Sequence, residues 1–389
     1  MSDVDWPETS VPGDEALCTP PSPATRLLGQ SHALVQHRGR GALSNVDGRF
    51  ESHRHDPCDD GWNSLDAPLA PRKTTVTADS ARGVIAHNDS PDVPFRQSIN
   101  PYRGCEHGCV YCYARPSHAY LGLSPGLDFE SRLLAKYDAA ELLAEELRRP
   151  SHVPDPIALG ANTDPYQPIE RRLGITRAIL EVLARYQHPF TIVTKSALVE
   201  RDIDILAPLA RANLCAVYIS VTTLDRSLAR RLEPRAAAPA RRLHTIQALA
   251  GAGIPVGVLF APVIPALNDR EMEAVLAASV AAGARFADKL LVRLPHEVKD
   301  LFREWLATHA PLKAKHVMNL LREARGGRDN DPRFGSRMTG TGRYAEMLAQ
   351  RFARACRKLG LNREPLALDM QRFCAPREAG AQPSLFGAP

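Results

Sequence analysis

Short apolar runs alternate with longer stretches of helical periodicity between about residue 96 and residue 310. The short runs contain many β-branched residues and predict strands. These runs are Ser98–Ile99, Ile157–Leu159, Phe190–Val193, Ala216–Ser220, Val256–Phe260 and Leu290–Arg293. Apolar residues at helical spacing predict helices at Tyr137–Arg149, Ile175–Tyr186, Arg201–Ala212, Arg241–Ala252 and Asp269–Ala282. Because parallel strands need crossover connections, this alternation predicts an α/β fold with a parallel sheet.

The segments on either side of this region have a different composition. Residues 1–95 are rich in Pro, Gly, Ser, Asp and His, which predicts a loop-rich N-terminal extension. Its basic run Arg38–Gly41 is interpreted as a solvated loop, with contact to phosphates as the alternative. The C-terminal region, 311–374, is predicted to contain the helices Ala314–Ala324 and Tyr344–Leu359.

Composition and charge set limits on location and partners. The chain has 389 residues, a net charge of +5 and a pI of about 8.8, which permits nucleic-acid binding without requiring it. No apolar run approaches the ~20 residues of a membrane span, and the first residues lack the pattern of a signal peptide. We therefore expect a cytoplasmic protein without a membrane segment. Only three of the eight cysteines are clustered, which does not indicate a disulfide framework.

The three clustered cysteines have C-x3-C-x2-C spacing and are Cys105, Cys109 and Cys112. Three thiolates can hold three irons of a [4Fe–4S] cube and leave the fourth iron open to a non-protein ligand. Gly104 and Gly108 suit a tightly wrapped loop, because glycine reaches conformations that other residues avoid. A zinc site completed by His107 is the main alternative, and disulfide bonds are a further one.

Polar residues follow the carboxyl ends of the predicted strands, where the loops of parallel barrels carry the chemistry. They are Asn162, Thr163 and Asp164 after the second strand, Lys195 after the third, and Ser220 and Thr222 at the fourth. Such groups could contact a zwitterionic amino acid, a ribose and an adenine. The alternative for Asn162, Thr163 and Asp269 is helix capping, which does not explain Lys195.

The cysteine segment resembles the signature of the radical S-adenosylmethionine (SAM) superfamily, in which an aromatic residue, here Tyr111, precedes the last cysteine. In that superfamily the open iron chelates the amine and carboxylate of SAM. The resemblance implies a partial (β/α)6 TIM-like barrel over residues 96–310, with the cluster loop after the first strand. It also implies that the reduced [4Fe–4S] cluster cleaves SAM to a 5′-deoxyadenosyl radical, with an electron donor such as flavodoxin or ferredoxin.

Within the superfamily, the chain is most similar to the spore photoproduct lyase-like group, often called DNA repair photolyases. The similarity is carried by Cys112–Tyr113, Thr163–Glu170, Thr194–Lys195, Ser220–Thr222, Leu232–Pro234 and Ala261–Pro265. It implies that Tyr111, Thr163, Lys195 and Ser220 contact SAM, and that Tyr113 belongs to a hydrogen-atom relay. It also implies action on a damaged or modified base of DNA or another nucleic acid. The alternatives are radical modification of RNA, a peptide or a small metabolite, and a non-catalytic iron–sulfur protein that binds nucleic acid.

One departure from this group concerns the hydrogen donor. The lyases carry a donating cysteine near the exit of the second strand, where this chain has Gly160-Ala161-Asn162. Tyr113 and Tyr166 are therefore the candidate donors. The basic residues expected to hold phosphates are Arg293, Arg325, Arg328 and Arg343.

The C-terminal residues 375–389 are expected to form a flexible tail with a short recognition motif. Gln382-Pro-Ser-Leu385-Phe386 resembles the peptide by which bacterial replication and repair proteins bind the DNA sliding clamp. Leu385 and Phe386 would fill an apolar pocket while the Gln382 amide fixes the register. The alternative is that the Leu-Phe pair packs back on the barrel.

Overall fold

The computed structural model describes residues 38–51 and 72–375. The strands of these residues are β1 (Thr75–Ala78), β2 (Ile85–His87), β3 (Gln97–Ile99), β4 (Tyr102–Arg103), β5 (Arg132–Ala135), β6 (Ile157–Leu159), β7 (Phe190–Thr194), β8 (Cys215–Ser220), β9 (Val256–Val263) and β10 (Phe286–Leu291). Their α-helices are α1 (Asp128–Ser131), α2 (Ala139–Arg148), α3 (Glu170–Leu173), α4 (Ile175–Arg185), α5 (Ile203–Arg211), α6 (Arg226–Leu232), α7 (Pro239–Gly251), α8 (Met272–Ala281), α9 (Val298–His309), α10 (Pro311–Glu323) and α11 (Gly342–Leu359). Short 3-10 helices cover Arg115–Leu121, Ala197–Asp202 and Asp269–Glu271.

The main sheet has the strand order β10-β9-β8-β7-β6-β3-β2. All neighbouring strands are parallel except β2, which runs antiparallel to β3 and pairs Ile85 with Ile99. Among the described residues, β2 and β10 each have only one neighbour, so the barrel does not close through strand pairing. This topology confirms the predicted partial (β/α)6 barrel.

The segment 331–340 connects β10 to the loop before β3. The Leu291 N–H group donates to the Met338 carbonyl at 2.9 Å. The neighbouring Arg337 donates to Asp92 at 2.5 Å. This C-terminal segment therefore bridges the two edges of the barrel.

Burial on both faces of the sheet explains why the short apolar runs form strands. Ala216, Val217 and Ile219 of β8 are all 0% exposed, as expected for a parallel strand covered by helices. Helix α4 buries an apolar stripe against the sheet, in which Ile179 and Leu183 are also 0% exposed.

The predicted elements of the barrel are present, with one clear shift. The last strand spans Phe286–Leu291 and begins earlier than the predicted Leu290–Arg293. Asp288 and Lys289 lie inside this strand and interrupt its apolar pattern, which explains the shift. The helix predicted at Arg201–Ala212 begins within a 3-10 segment and continues as α5.

The N-terminal extension contains strands as well as loops. β1 pairs in parallel with β5, and β4 pairs antiparallel with β5, which forms a separate three-stranded sheet. β2 joins the main sheet. The prediction of loops therefore needs correction for residues 75–87, where the strands are too short for their alternation to stand out in the sequence.

The C-terminal region contains the two predicted helices, α10 and α11, in contact with the barrel helices. α11 ends at Gly360, whose φ of 71° is typical of a glycine that terminates a helix. In the described part of the chain, no helix is both long and apolar enough to cross a membrane.

Candidate functional site

One loop, between β4 and the 3-10 helix that begins at Arg115, carries the clustered cysteines Cys105, Cys109 and Cys112. Two glycines allow this loop to turn tightly, with φ of 79° at Gly104 and 67° at Gly108. A Cβ atom at Gly104 would lie 2.8 Å from the Phe129 carbonyl oxygen. A Cβ atom at Gly108 would lie 2.7 Å from the Glu130 carboxylate. Both contacts are too short for a side chain, so the loop requires glycine at these positions.

The three cysteines are free thiols; Cys105 and Cys109 are buried and Cys112 is partly exposed. Burial raises the pKa of each thiol, so the thiols stay protonated until a metal centre displaces their protons. Within residues 38–51 and 72–375, no three His, Cys, Asp or Glu side chains are grouped as ligands of one metal ion. A [4Fe–4S] cube takes its cysteines on different irons, so its ligands need not meet at one point. The donor set fits such a cluster.

Residues from later elements hold the cluster loop in place. The Gln167 amide accepts a hydrogen bond from Glu106 N–H at 2.8 Å and donates to the Gly104 carbonyl at 3.1 Å. Val110 N–H donates to the Leu232 carbonyl at 3.2 Å. The loop is therefore tied both to the segment after β6 and to the end of α6.

Glu233, directly after α6, is a buried carboxylate at the centre of the predicted SAM contacts. It accepts hydrogen bonds from the Tyr111 hydroxyl and, at 2.5 Å, from the Thr222 hydroxyl. Arg242 donates to its second oxygen. Burial acts to raise the pKa of Glu233, but the charges of Arg242 and Lys195 outweigh this effect and lower the pKa to about 2. Glu233 is therefore an ionised anchor for Tyr111 and Thr222.

Lys195 and Ser220 meet where β7 and β8 end. The Lys195 Nζ donates to the Ser220 hydroxyl at 2.5 Å and lies 3.9 Å from Glu233 Oε1. The Ser220 hydroxyl donates to the Ala261 carbonyl at 3.1 Å. Four residues predicted to bind SAM thus belong to one hydrogen-bonded network: Tyr111, Lys195, Ser220 and Thr222.

The carboxylate of Asp164 contacts other residues of the protein. It accepts hydrogen bonds at 2.7 Å from the Thr194 hydroxyl and from the Lys195 N–H. It also lies 3.2 Å from Nδ1 of His107. Burial acts to raise the pKa of Asp164, but His107 and the hydrogen bonds lower it overall. Asp164 therefore positions the end of β7 against the cluster loop. It also engages His107, which is the fourth ligand in the zinc alternative.

Thr163 and Asn162 lie beside the first part of the cluster loop. The Thr163 hydroxyl donates to the Tyr102 carbonyl at 2.7 Å. The Asn100 side chain accepts from the backbone N–H groups of Asn162 at 2.8 Å and Thr163 at 3.3 Å. Helix α3 begins only at Glu170, so capping does not explain these two residues. The Asn162 side chain is exposed and free to contact a ligand.

The two candidate hydrogen donors have different environments. Tyr113 is 44% exposed, and its hydroxyl donates to the Ala161 carbonyl at the exit of β6. The Arg293 guanidinium lies over its ring, 5.6 Å from the centroid. Tyr166 is 0% exposed, and its hydroxyl donates to Asp202 at 3.0 Å. The structure brings Tyr113, rather than Tyr166, to the open strand exit.

Two arginine predictions need correction. Arg325 is 1% exposed and donates to four backbone carbonyls, so it is not available to phosphates. Arg40 is 6% exposed and donates to the Glu130 carbonyl, so it is neither solvated nor a phosphate contact. Arg328 and Arg343 are exposed, and their contact with phosphates stays a prediction. The motif formed by Gln382, Leu385 and Phe386 lies outside the described residues.

The sequence patterns missed three polar residues that organise the site: Glu233, Arg242 and Gln167. Glu233 lies in the Leu232–Pro234 motif and Gln167 lies in the Thr163–Glu170 motif, and both motifs carry part of the resemblance. Their place in these motifs was the signal by which Glu233 and Gln167 could have been found from the sequence. Arg242 lies on an amphipathic helix with no signal that distinguishes it from the exposed Arg241.

Comparison with known sequences identifies relatives with the same site region. The model of the radical SAM superfamily matches residues 99–278, which include the cluster loop and the ends of β6 to β9. A protein of Mycobacterium tuberculosis, "Uncharacterized protein Rv2578c", is 38% identical over 232 residues, covering 59% of this chain and 68% of that protein. "Uncharacterized protein MJ0683" of Methanocaldococcus jannaschii is 28% identical over 173 residues, covering 44% of this chain and 62% of that protein.

Comparison with solved structures identifies the same fold. Spore photoproduct lyase complexed with dinucleoside spore photoproduct has a TM-score of 0.54 at 15% identity, over 74% of this chain and 80% of that one. A mutant of that lyase with bound AdoMet and the same photoproduct has a TM-score of 0.53 at 15% identity, with the same coverage. At this identity the likeness shows a shared fold. The match of the superfamily model, together with the relative at 38% identity, shows that the chain belongs to the radical SAM superfamily, whose cofactors are a [4Fe–4S] cluster and S-adenosylmethionine.

Proposed function

We propose that the protein cleaves SAM reductively and directs the resulting 5′-deoxyadenosyl radical at a damaged or modified base of a nucleic acid, as a DNA repair lyase would. The observation that carries this proposal is the position of Tyr113. Its partly exposed side chain follows Cys112 directly and contacts Ala161 at the exit of β6. A phenol in this place can donate a hydrogen atom to a substrate that binds at the carboxyl ends of the strands.

The residues of the chain bind and orient the cofactors. Three thiolates, from Cys105, Cys109 and Cys112, would hold the cluster. When bound, the cluster and SAM supply the one-electron chemistry that abstracts a hydrogen atom from the substrate. The protein supplies orientation, as is usual for cofactor enzymes. The network of Lys195 and Ser220 offers a cation and a hydroxyl, which suit the carboxylate and the ribose of SAM.

Tyr113 would return a hydrogen atom to the product radical. Its O–H bond breaks, the hydrogen atom passes to the substrate carbon, and a phenoxyl radical remains. One electron from the flavodoxin- or ferredoxin-type donor and one proton from solvent would restore the phenol before the next turnover. Ala161, which accepts the hydrogen bond of Tyr113, belongs to the segment where the related lyases carry their donating cysteine. The phenol would therefore replace the thiol at nearly the same place.

The surroundings of Tyr113 favour a nucleobase as substrate. An exposed aromatic ring can stack on a base, a contact worth about 1–3 kcal/mol, and Arg293 lies over the same ring. The exposed Arg328 and Arg343 would contact phosphates, with an affinity that falls as salt rises. A base inside a duplex would have to be flipped out to reach the site. The shared fold with a lyase solved with a dinucleoside photoproduct supports this substrate class.

The test is SAM cleavage by anaerobically reconstituted protein in the presence of irradiated DNA, intact DNA, RNA or a protein extract. We expect 5′-deoxyadenosine to form fastest with irradiated DNA, and none to form with Cys109→Ala. A protein that holds a full cluster but never cleaves SAM would reject the enzymatic proposal and favour a non-catalytic binding protein. Faster cleavage with RNA or with protein extract would reassign the substrate.

Two partners follow from this proposal. An electron donor such as flavodoxin or ferredoxin would reduce the cluster.

The tail motif would bind the bacterial DNA sliding clamp through Gln382, Leu385 and Phe386. Calorimetry of the full-length chain against the clamp of the same organism tests the second partner. We expect binding by the natural chain and none by a variant with Leu385→Ala and Phe386→Ala; equal behaviour of both chains would reject the clamp as a partner.

A further inference from the structure

The N-terminal residues Arg40–Leu43 pack against the cluster loop. In this segment Arg40, Ala42 and Leu43 are each at most 6% exposed. The contact is closest at Gly41, where a Cβ atom would lie 1.7 Å from the Gly108 carbonyl oxygen. Gly108 immediately precedes Cys109, so Gly41 lies directly on the peptide group that leads to a cluster ligand. Only glycine permits this approach.

Glu130 joins the same segment to the cluster loop. Its carboxylate is 0% exposed and accepts hydrogen bonds at 2.9 Å from the N–H groups of Gly41 and Ala42. Arg115 donates to this carboxylate as well. Through its Nε atom, Arg115 also donates to the Cys109 carbonyl at 2.9 Å. A single buried carboxylate thus connects the N-terminal segment, through one side chain, to a cluster ligand.

A second connection reaches the beginning of the loop. Arg40 donates to the Glu130 carbonyl at 2.5 Å and to the Thr74 hydroxyl at 3.0 Å. The Thr74 hydroxyl donates to Glu106 at 2.6 Å. Glu106 directly follows Cys105, so the N-terminal residues are linked to the loop at its first and at its second cysteine.

The burial of these charged side chains costs free energy of desolvation, which suggests that their role is to position the cluster loop. A buried ion pair often stabilises a fold no more than apolar residues of the same volume would. Here the pair of Glu130 and Arg115 connects the cluster loop to Gly41 and Ala42, which are distant in the sequence. We propose that Glu130 is a positioning residue of the cluster site and that Arg40–Leu43 forms one wall of that site. The inference concerns the cofactor and is independent of the substrate proposed above.

The first test is cluster retention by Gly41→Ala. The added methyl group would collide with Gly108 and displace the peptide before Cys109, so the affinity for the cluster should fall about 10-fold or more, as for other partners of metal ligands. Gly251→Ala is the matched control, because a Cβ there would meet no heavy atom within 4 Å apart from the adjacent residues and backbone of its own helix. Iron and acid-labile sulfide per chain measure retention. A Gly41→Ala protein with full cluster content and an unchanged electron paramagnetic resonance (EPR) spectrum would overturn the proposal.

The second test is the reduction potential of Glu130→Gln, which keeps the shape and removes the charge. A buried negative charge near the cluster opposes an added electron, and Arg115 stays positive in the variant. We therefore expect a more positive potential and an altered EPR spectrum of the reduced cluster. A role in folding alone would lower the melting temperature and leave the potential unchanged, and that result would overturn the proposal. This variant also decides the case if Gly41→Ala does not fold.

Discussion

Arg242 and Glu233 form an ion pair that is closed to solvent, with side chains 2% and 0% exposed. Arg242 also donates to the Ser220 carbonyl at 2.9 Å. Because Glu233 accepts a hydrogen bond from Tyr111 of the cluster loop, the pair connects that loop to the end of β8. The residues expected to contact SAM therefore depend on one buried pair of charges.

Removing Glu233 should be strongly destabilising. Glu233→Ala leaves Arg242 buried without its counter-charge, which costs about 3–5 kcal/mol. Arg241→Ala is the matched control: Arg241 pairs with Glu200 on the surface, where such pairs contribute about 0–1 kcal/mol. Urea unfolding of the cluster-free proteins measures the free energy of both variants. Equal losses would contradict the central role of the buried pair.

Replacing a cluster cysteine should remove the cluster, whereas replacing a buried cysteine elsewhere in the barrel should not. We expect Cys109→Ala to lose the cluster and all SAM cleavage, because one iron loses its thiolate ligand. Cys215→Ala is the control, since Cys215 lies buried in β8 with its thiol 3.4 Å from the Leu206 carbonyl. Iron content and visible absorbance should stay normal in this control. Retention of a full cluster by Cys109→Ala would show that the ligands were assigned wrongly.

The two tyrosines can be separated by the same change at each position. Tyr113→Phe should leave SAM cleavage intact and abolish the repaired product, because the hydrogen donor is lost. Tyr166→Phe should retain product formation and lose stability, by about 1–3 kcal/mol, because the buried Asp202 loses a hydrogen-bond donor. Product analysis by mass spectrometry, together with urea unfolding, tests both expectations. Normal product formation by Tyr113→Phe would remove this tyrosine from the mechanism.

Much of the fold could be predicted from local patterns. The apolar runs at Ile157–Leu159 and Phe190–Val193 form strands where predicted, because burial on both faces imposes a continuous apolar sequence. The cysteine spacing and the two glycines likewise locate the cluster loop. These features depend on residues that are close together in the chain, so they are visible in a single sequence.

Contacts between distant segments could not be predicted in this way. The sequence predicts a role for Gly108 in the cluster loop but does not indicate that Gly41 is its neighbour, because only the fold brings the two glycines into contact. Arg40 is interpreted as solvated because the sequence contains no sign of its partner Glu130. Tyr166 and Asp164 share one motif with Thr163, but the fold directs Tyr166 into the core, where it meets Asp202.

A pair of histidines, the buried His188 and the partly exposed His152, lies apart from the cofactor site. His188 is 0% exposed, and its Nδ1 and Nε2 atoms lie 3.0 Å from the Pro189 carbonyl and from His152 Nε2, respectively. A carbonyl oxygen only accepts, so His188 Nδ1 carries the proton and Nε2 accepts a hydrogen bond from His152. Burial, together with the neighbouring His152, lowers the pKa of His188 to about 4. The neutral form of His188 is therefore the one that the fold favours.

This pair should make stability depend on pH below neutrality. Between the ordinary histidine pKa of 6.5 and about 4, the unfolded chain binds more protons at His188 than the folded chain does. The contribution of His188 to the free energy of unfolding is therefore complete above pH 6.5 and is lost as the pH falls towards 4. It amounts to at most about 3 kcal/mol. Urea unfolding across this window should show a smaller decline for His188→Gln than for the natural protein, whereas the exposed His316→Gln should behave like the natural protein. The difference between these two variants isolates His188 from the carboxylates that titrate in the same window, so equal declines would contradict a buried, neutral His188.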